Sequence, residues 1–371
     1  MSINMSTAYT VDVDYHELCG ALAAKSMQPL WRMASTLLTD VPLPTTEAWL
    51  WKWQTILPLA KRAGEVVTLD RGGDRRVLAL ANPGLDGLPF TSRTLWSAIQ
   101  YLGPHESAPA HRHSPAAIRF VLSGSGAATS VEGDACTMAP GDLILTPNWN
   151  WHDHNNAGDE PVVWFDGLDL PLVSTLETIF FENHPQETQD IDGANVSQDR
   201  FAAPGLRELG VPSQPAHSPL LRYPWVDTDR ALTALQQRDD RPLVSLEFTN
   251  PTTGGPALPS LGCEMHRLRP GGRTATRRTT GSSVYCVFGG SGTTVIDGEA
   301  FEWAAGDVFV TPSWSRVDHQ AHEPADVFAI SDRPVLQLLH LYAEEELATP
   351  QEVERTFVPA GPETVVAEAV T

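Results

Sequence analysis

Short apolar runs broken by Gly, Pro and Asp occupy two stretches of the chain, residues 93–182 and 259–345. Runs such as "AIRFVLSG" and "GDLILTP" are bounded by turn residues at close intervals. Closely spaced short strands of this kind are typical of β-barrels and β-sandwiches. We therefore predict an all-β dominated fold for both stretches.

A helical pattern precedes the first of these stretches, in "TEAWLWKWQTILPLAKRAGE". Apolar residues recur there at helical spacing: Trp49, Trp53, Ile56 and Ala60. Gly64 is a candidate stop for the helix, and Pro58 interrupts the pattern. We predict a partly helical N-terminal region over residues 1–92.

Two further segments lie outside the N-terminal region and the two β stretches. Residues 183–258 are rich in polar residues and prolines, which predicts a segment that connects the two β stretches. Residues 346–371 are acidic and have few large apolar groups, so we expect a loosely ordered tail.

The two β stretches contain an internal repeat. Residues 120–154 and 286–320 share the order apolar run, Gly-x-Gly, short strand, Gly turn, Gly-Asp, apolar strand and Thr-Pro-x-Trp. Two aligned pairs mark the correspondence: Gly141-Asp142 with Gly306-Asp307, and Thr146-Pro147 with Thr311-Pro312. A period of about 165 residues is far too long for a solenoid and predicts two copies of one domain.

Histidines cluster in the first copy. His111 and His113 alternate in "APAHRHSPAAIRFV", so they share one face of an extended strand. His152 and His154 share one face in "TPNWNWHDHNN", and the four imidazoles are expected to converge in one barrel. A His-x-His pair alone is a weak indication, but a further histidine at the matched end of the repeat strengthens it.

The second copy has lost most of these histidines. Arg277-Arg278-Thr279 stands in place of the first pair, and Val317 replaces His152. Only His319 survives, opposite His154. The loss of the histidines as a set predicts one metal site in the first copy and a degenerate second copy without metal.

The types of candidate ligand limit which metals and which class of substrate suit the site. Imidazole suits zinc, copper, iron and nickel, and the common iron site adds a carboxylate, which is absent after His113. No cysteine lies near these histidines to complete a structural zinc site. Three neutral histidines leave a divalent ion at its full charge, which favours an anionic chelating substrate.

Arg119 indicates a carboxylate as that anion. It lies six residues after His113, an even spacing that on an unbroken strand turns both toward the same interior. A guanidinium fork beside a metal suits a carboxylate, although an arginine reaching solvent near a strand end is an alternative. In "TLWSAIQYLG", one face presents residues that either line a flat pocket or form a mixed core: Trp96, Ala98 and Gln100.

Charge and cysteine content exclude other classes of protein. The net charge of −21 disfavours nucleic acid and anionic membranes as partners. Four widely spaced cysteines fit neither a disulfide framework nor a zinc finger, so we expect buried free thiols. The absence of a signal-peptide pattern predicts a cytoplasmic protein.

Several stretches together resemble the bicupin ring-cleaving dioxygenases of the gentisate 1,2-dioxygenase family, which includes salicylate and 1-hydroxy-2-naphthoate 1,2-dioxygenases. The resemblance runs from about Pro29 to Leu341, and Pro58 and the long tail depart from it. The stretches that carry it are "RGGDRRVLALANPGL", "LWSAIQYLGP", "HRHS" with "RFV", "GDLILTPNWNWHDHNN", "WFDGLDLP" and "NPTTGG". It implies two cupin β-barrels and Fe(II) held by His111, His113 and His152.

The resemblance also implies roles for other residues. The substrate chelates the iron through its carboxylate and ring hydroxyl, with Arg119 on the carboxylate and Arg75 or Arg76 nearby. His154 would hydrogen-bond substrate or bound oxygen and assist proton transfer, and Asp166 would support the site. The matched pocket positions are Trp96, Ala98 and Gln100.

Gentisate is the expected substrate, cleaved with O2 to maleylpyruvate, because a second, para-related hydroxyl makes the ring easier to oxidise. Salicylate and 1-hydroxy-2-naphthoate are alternatives within the family. A non-catalytic metal-binding bicupin and a zinc-dependent cupin isomerase are alternatives of other classes, although the isomerase usually has a carboxylate ligand. The family also implies a homo-oligomer, here predicted as a homotetramer.

Overall fold

The structure is a computed structural model that describes residues 5–67, 76–203, 205–206, 208–210, 213 and 216–359. The chain divides into two compact units, Met1–Leu43 and Pro44–Thr371. The first unit contains helices α1 (Met5–Ala23) and α2 (Leu30–Leu37). The helices described in the second unit are α3 (Trp53–Val66), α4 (Leu170–Thr175), α5 (Val196–Arg200), α6 (Trp225–Gln236) and α7 (Arg333–Leu338).

Strands form the body of the second unit. Those numbered up to 13 are β1 (Trp49–Trp51), β2 (Val77–Ala79), β3 (Trp96–Leu102), β4 (Ser107–His113), β5 (Ala117–Ser123), β6 (Ala127–Val131), β7 (Asp134–Thr137), β8 (Leu143–Thr146), β9 (His152–Asn156), β10 (Val162–Leu168), β11 (Phe181–Asn183), β12 (Gly193–Ala194) and β13 (Arg222–Tyr223). The others are β14 (Leu243–Glu247), β15 (Gly262–Leu268), β16 (Arg277–Thr279), β17 (Ser283–Gly289), β18 (Ser291–Ile296), β19 (Glu299–Ala304), β20 (Val308–Thr311), β21 (Val317–Ala321), β22 (Ala325–Ser331), β23 (Glu344–Glu346) and β24 (Arg355–Thr356).

Four six-stranded sheets build two barrels with the same strand arrangement. The first barrel combines the sheets β13-β8-β5-β10-β3-β2 and β11-β4-β9-β6-β7-β12. The second combines β1-β20-β17-β22-β15-β14 and β23-β16-β21-β18-β19-β24. Each strand of the first barrel has a counterpart at the same place in the second, which confirms the internal repeat.

The barrels pack against each other through an apolar core between the sheets that contain β5 and β17. Phe120 stacks on Phe328 there, with ring centroids 4.3 Å apart and planes 2° from parallel. On β5, Ile118 and Phe120 belong to this shared core, whereas Val121 belongs to the interior of the first barrel. Because side chains alternate along a strand, Arg119 shares the inward face with Val121.

The segments outside the repeat contribute strands across the barrels. β1, from the N-terminal region, pairs with β20 of the second barrel, whereas α3 packs on β2 and β3 of the first. From the predicted connecting segment, β13 pairs with β8 of the first barrel, whereas α6 packs on β14 of the second. Both segments are therefore integral to the barrels, and the boundaries 92/93 and 182/183 remain predictions.

The helix in the N-terminal region differs from the predicted one at its start. Trp49 lies in β1, and α3 begins only at Trp53, with Ile56 and Ala60 buried as expected. Trp49 pairs with a strand of the second barrel, a contact that local periodicity does not encode. Pro58 lies inside the helix, and Gly64 does not end it. A Cβ on Gly64 would lie 2.7 Å from the Tyr101 ring, so close packing explains that glycine.

Part of the acidic tail is ordered, so the prediction of loose order is wrong there. Gln351 is buried, and its side chain donates hydrogen bonds to backbone carbonyls of the second barrel. β24 pairs with β19, and Phe357 contacts Trp49 and Phe301 with ring centroids 5.0 and 4.7 Å away. Residues 360–371 of the predicted tail lie outside the described residues.

The prediction about the cysteines can be compared with the structure. All four cysteines are unpaired and buried, as predicted. Among the described residues, no helix has both the length and the hydropathy needed to cross a membrane.

Candidate metal centre

Three histidines meet inside the first barrel. His111 and His113 end β4, and His152 begins β9, directly opposite His111 in the antiparallel register. One ring nitrogen from each histidine lies within 4.8 Å of those of the other two. Among the described residues this is the one group of three or more potential metal-ligating side chains so close together.

A β-bulge aligns these side chains. Ala108 pairs with His154 and His111 with His152, so three steps on β4 match two steps on β9. Without the extra residue, strict alternation would turn His111 away from the face that Ala108 shares with the barrel interior. The bulge therefore brings His111 and His113 onto the same side as His152.

Backbone carbonyls set the tautomer of all three rings. The Nδ1 atoms of His111, His113 and His152 lie 2.9, 2.7 and 3.0 Å from the carbonyl oxygens of Pro109, Pro115 and Asn150. A ring that donates Nδ1–H to a carbonyl keeps its lone pair on Nε2, which is how metal-ligating histidines are oriented. Nε2 of His152 is buried and has no hydrogen-bond partner in the described part of the chain. These residues fit a divalent metal ion.

Burial keeps the imidazoles of His113, His152 and His154 neutral. Burial, with smaller contributions from the neighbouring His111 and Arg119, lowers the pKa of His113 to about 4, although the hydrogen bond to the Pro115 carbonyl opposes the shift. Burial also lowers the pKa of His152 and His154 well below the usual range, with Arg119 contributing. At neutral pH, ligands of this kind need lose no proton to coordinate.

A buried ion pair faces the same interior. Arg119 on β5 and Ala98 on β3 lie on either side of Asp166 on β10, in one cross-strand row. Arg119 Nη1 donates to Thr146 Oγ1 at 2.7 Å, and its Nε lies 3.6 Å from Asp166 Oδ1 without a hydrogen bond. The arginine is 5 % exposed, which excludes the alternative that it reaches solvent.

The route by which Arg119 reaches the interior differs from the expected one. The spacing from His113 assumed an unbroken strand, but β4 ends at His113 and β5 starts at Ala117, in the other sheet of the barrel. Both strands direct these side chains inward, so the two groups still face one interior. Burial raises the pKa of Asp166 to about 6, although Arg119 and the Trp164 indole donor oppose that rise.

The predicted pocket row is present on β3. Trp96 and Gln100 share the inward face with Ala98 by strand alternation, and Ala98 and Gln100 are buried. His154 is also buried, with its ring centroid 6.1 Å from that of His152 and 5.3 Å from that of Trp164. The predicted residues on β3, β5, β9 and β10 thus share the inward face of the first barrel, and we expect them to line one space beside the histidine triad.

The two further arginines are placed differently. Arg76 forms an ion pair with Glu106, and its Nη1 donates to the Gly64 carbonyl at 2.9 Å. These partners lie at the α3 side of the first barrel, and no contact between Arg76 and the triad is found in the described residues. Arg75 lies outside the described residues.

The second barrel repeats the site positions with other side chains. Arg277 pairs with Val317 in the register that His111 and His152 have in the first barrel. His319 occupies the place of His154, and its Nδ1 lies 2.8 Å from Thr294 Oγ1. The residues that the internal repeat aligns in sequence therefore occupy equivalent positions in the two barrels.

Three residues of the site were missed by sequence reasoning. Thr146 accepts a hydrogen bond from Arg119, Thr129 Oγ1 lies 2.9 Å from His154 Nδ1, and Trp164 Nε1 donates to Asp166 at 2.9 Å. For Thr146, its place in the repeated Thr-Pro pair was the available indication. Thr129 could have been found from its match with Thr294 across the repeat.

Comparison with known proteins places these features in a family. A cupin domain family matches residues 98–169. A gentisate 1,2-dioxygenase from Streptomyces sp. is 46% identical over 84% of this chain and 90% of that protein. A 5-aminosalicylate 1,2-dioxygenase from Comamonas sp. is 38% identical over 94% of both.

Solved structures agree with the sequence comparison. The salicylate 1,2-dioxygenase from Pseudoaminobacter salicylatoxidans, crystallised as an adduct with gentisate, superposes with a TM-score of 0.86. It is 41% identical and covers 91% of this chain and 94% of that one. The predicted bicupin fold is thereby confirmed. With its duplicated barrels and its histidine triad, the chain belongs to the gentisate 1,2-dioxygenase family of ring-cleaving dioxygenases.

Proposed function

We propose that this enzyme is an Fe(II)-dependent gentisate 1,2-dioxygenase, which cleaves gentisate with O2 to maleylpyruvate. The observation that carries the proposal is the buried Arg119, whose unpartnered Nε–H faces the interior that the histidine triad shares. A cation and a three-histidine metal centre in one barrel suit an anionic substrate that chelates a metal. Salicylate and 1-hydroxy-2-naphthoate are the alternative substrates.

His111, His113 and His152 would hold the iron through Nε2, because their Nδ1 atoms are engaged by backbone carbonyls. When bound, Fe(II) supplies Lewis acidity and the one-electron chemistry that O2 requires. A set of three neutral ligands adds no negative charge, which leaves the site receptive to a carboxylate and a phenolate.

Arg119 would bind the substrate carboxylate. Its Nη1 is fixed by Thr146, so the side chain is oriented before the substrate arrives. Asp166 lies 3.6 Å from Nε and balances the buried positive charge without occupying that donor by a hydrogen bond. We assign Asp166 this positioning role, because removing it would leave the guanidinium buried and unpaired.

The remaining groups would orient the ring and its hydroxyl. Trp96, Ala98 and Gln100 form one wall of the space, and the small Ala98 lies closest to the Arg119–Asp166 pair in the strand register. His154 has Nδ1 engaged by Thr129, which leaves Nε2 to hydrogen-bond the substrate and to assist proton transfer.

Gentisate is preferred over salicylate for an electronic reason. Its second hydroxyl, para to the first, makes the ring easier to oxidise, so cleavage demands less of the pocket. The 46% identity to the Streptomyces gentisate 1,2-dioxygenase supports this choice. The structural similarity to a salicylate 1,2-dioxygenase crystallised with gentisate is compatible with either substrate.

An oxygen electrode tests the proposal. Enzyme supplied with Fe(II) under reducing conditions is given gentisate, salicylate and 1-hydroxy-2-naphthoate in turn. We expect the highest kcat/KM with gentisate, one O2 consumed per substrate, and a ring-opened product that absorbs in the near ultraviolet. Faster turnover of salicylate would favour a salicylate 1,2-dioxygenase of the same family. No O2 uptake with any of the three substrates would favour a non-catalytic bicupin.

Assembly and location are further parts of the proposal. We infer a homotetramer from the family resemblance, supported by exposed apolar side chains on the segment that follows α4. These side chains are Leu176, Ile179, Phe180 and Phe181. Light scattering should give four times the chain mass of 40.4 kDa. The four unpaired thiols support a reducing, cytoplasmic location.

A further inference from the structure

A cavity lies inside the second barrel, away from the histidine triad. Its volume is about 690 Å³, within the range of pockets that hold small molecules. Its walls include residues of β15, β17, β20 and β22. Of these strands, β17 and β22 are the counterparts of β5 and β10, which carry Arg119 and Asp166. We call it the second-barrel cavity. The proposed dioxygenase activity gives it no role.

Small residues open this cavity. Gly262 pairs with Ser331 on the inner side of the second barrel, as Trp96 pairs with Leu168 in the first. Ala329 similarly stands where Asp166 stands in the first barrel. The side chains that narrow the first barrel are therefore missing here, and the space remains without an occupant from the described part of the chain.

The polar groups of the two barrels have opposite charge. Tyr285 occupies the register position of Arg119, so the buried cation of the first barrel is lost. Glu264 occupies the position of Ala98, so a carboxylate is gained. At these two positions the second barrel therefore has a carboxylate instead of a guanidinium, and Arg333 also lines the cavity as the ion-pair partner of Glu264.

Glu264 is only partly neutralised by its neighbours, because its ion-pair partner Arg333 lies 3.4 Å away and Glu247 adds a second negative charge. Glu264 Oε1 accepts one long hydrogen bond from Arg333 at 3.4 Å, and its Oε2 lies 3.6 Å from His266 Nε2 without a hydrogen bond. Glu247 lies directly opposite on β14, and like charges in such a pair repel each other. At the mouth, Arg277 is already paired with Glu344 and Glu346, so it adds no free positive charge.

Two further observations indicate a ligand. Ser331 lines the cavity, is 8 % exposed, and its Oγ has no hydrogen-bond partner in the described residues. A buried hydroxyl of that kind normally has a partner, so a bound molecule is a natural one. Tyr285 and Phe309 stack with centroids 4.8 Å apart and form an aromatic wall beside Glu264. Such walls attract cations as well as apolar rings.

We infer that the second-barrel cavity is a binding site for a small organic ammonium ion. The ammonium group donates hydrogen bonds to Glu264, and the apolar part of the ligand packs against Tyr285 and Phe309. Ser331 Oγ accepts or donates a further hydrogen bond at the wider end. The carboxylate, the aromatic wall and the open volume each match one part of such a ligand.

Calorimetric titration of the full-length enzyme with three probes of nearly equal size tests the site. Benzylammonium carries the required charge, benzyl alcohol is its neutral counterpart, and benzoate is an anion. We expect benzylammonium to bind once per chain and at least tenfold more tightly than benzyl alcohol. Glu264→Gln should weaken it at least tenfold, because a charge-assisted hydrogen bond is lost. Glu352→Gln, the same change at an exposed residue outside the cavity lining, should stay within twofold.

A second variant tests the same cavity independently, in case Glu264→Gln does not fold. Ser331→Leu places in the cavity the side chain that Leu168 supplies in the first barrel, and it should abolish benzylammonium binding while gentisate turnover persists. Equal binding of benzylammonium and benzyl alcohol would overturn the inference. So would benzylammonium binding that survives both variants, or benzoate binding that Ser331→Leu removes.

Discussion

At the scale of single residues, the proposed function depends most on Arg119, which we expect to bind the substrate carboxylate beside the metal. Thr146 fixes one arm of the guanidinium, and Nε–H stays available inside the barrel. We predict that Arg119→Lys and Arg119→Ala keep the metal but weaken gentisate binding. A lost hydrogen bond to a charged group costs roughly 1.5–3 kcal/mol, about 10- to 150-fold in affinity. Lysine cannot form the two parallel hydrogen bonds that a guanidinium forms with a carboxylate, so Arg119→Lys should not restore gentisate binding.

Steady-state kinetics with gentisate and hydroquinone, after the metal content of each variant is checked, separates the explanations. Hydroquinone lacks the carboxylate, so it should be a poor substrate of the wild type and lose little more in the variants. If both substrates lost activity by the same factor, Arg119 would support the barrel or the metal rather than the carboxylate.

Sequence reasoning found the ligands of the site but not the geometry that aligns them. The alternation of His111 and His113 and the loss of their counterparts in the second copy were sufficient to predict the metal centre. The β-bulge between Ala108 and His111 was not predictable, because a bulge is defined by the partner strand. Arg119 faces inward as predicted, although the chain first crosses from one sheet to the other.

At the scale of elements, the repeated Gly-Asp pairs are docking points for helices. The Asp142 carboxylate accepts the backbone N–H of Trp225, and Asp307 accepts that of Trp53. Each tryptophan starts a helix and lies against the preceding glycine, where a Cβ on Gly306 would come 2.3 Å from the Trp53 ring. The sequence indicated turns at these pairs, but the partner helix is far away along the chain.

Gly306→Ala should therefore destabilise the protein strongly. The residue has φ +86°, which costs a non-glycine residue about 1–2 kcal/mol, and the new Cβ would overlap Trp53. Gly271→Ala is the matched control, since Gly271 has φ +78° and no atom within 4 Å of the added Cβ. Urea unfolding should show a loss for Gly306→Ala that exceeds the loss for Gly271→Ala by at least about 1 kcal/mol. Equal losses would mean that the Trp53 contact adjusts without cost.

The crossing of β1 and β13 between the barrels explains why local patterns misplaced Trp49. Trp49 has helical spacing to Trp53, yet it pairs with Val310 of the second barrel. Tertiary pairing overrides local periodicity when a short strand completes a sheet edge. In the connecting segment, β13 likewise depends on a partner strand elsewhere in the chain, β8 of the first barrel.

At the scale of the whole molecule, two buried aspartates tie the barrels together. Asp169, at the start of α4, accepts the Ala116 N–H and contacts Ser260. Asp332, at the start of α7, accepts hydrogen bonds from Ser282 N and Thr94 Oγ1 at 3.0 and 2.5 Å. Each therefore bonds one residue of its own barrel and one of the chain that leads into the other. Burial raises the pKa of both carboxyls to about 6.

A raised pKa means that the folded state holds a proton which the unfolded state releases, so this contribution to stability is full below about pH 4. It is lost as the pH rises through 6. A change from 3.8 to about 6 corresponds to roughly 3 kcal/mol for Asp332. Asp332→Asn imitates the protonated form, so its unfolding free energy relative to wild type should rise by up to that amount between pH 4 and 7.

Urea denaturation across that pH range checks this expectation, with Asp240→Asn as an exposed control that should show no such trend. A difference between Asp332→Asn and wild type that stays constant with pH would show that the carboxyl titrates near its ordinary value in the folded protein.

The two barrels share one architecture, yet among the described residues the cluster that could hold a metal occurs in the first. Metal analysis of freshly purified enzyme, with the matched variants His152→Ala and His319→Ala, tests most directly whether the first barrel alone binds metal. The account predicts one iron per chain in the wild type, an unchanged value in His319→Ala, and loss of both iron and gentisate-dependent O2 uptake in His152→Ala. Two irons per chain, or a His152→Ala variant that binds iron normally and turns over, would contradict it.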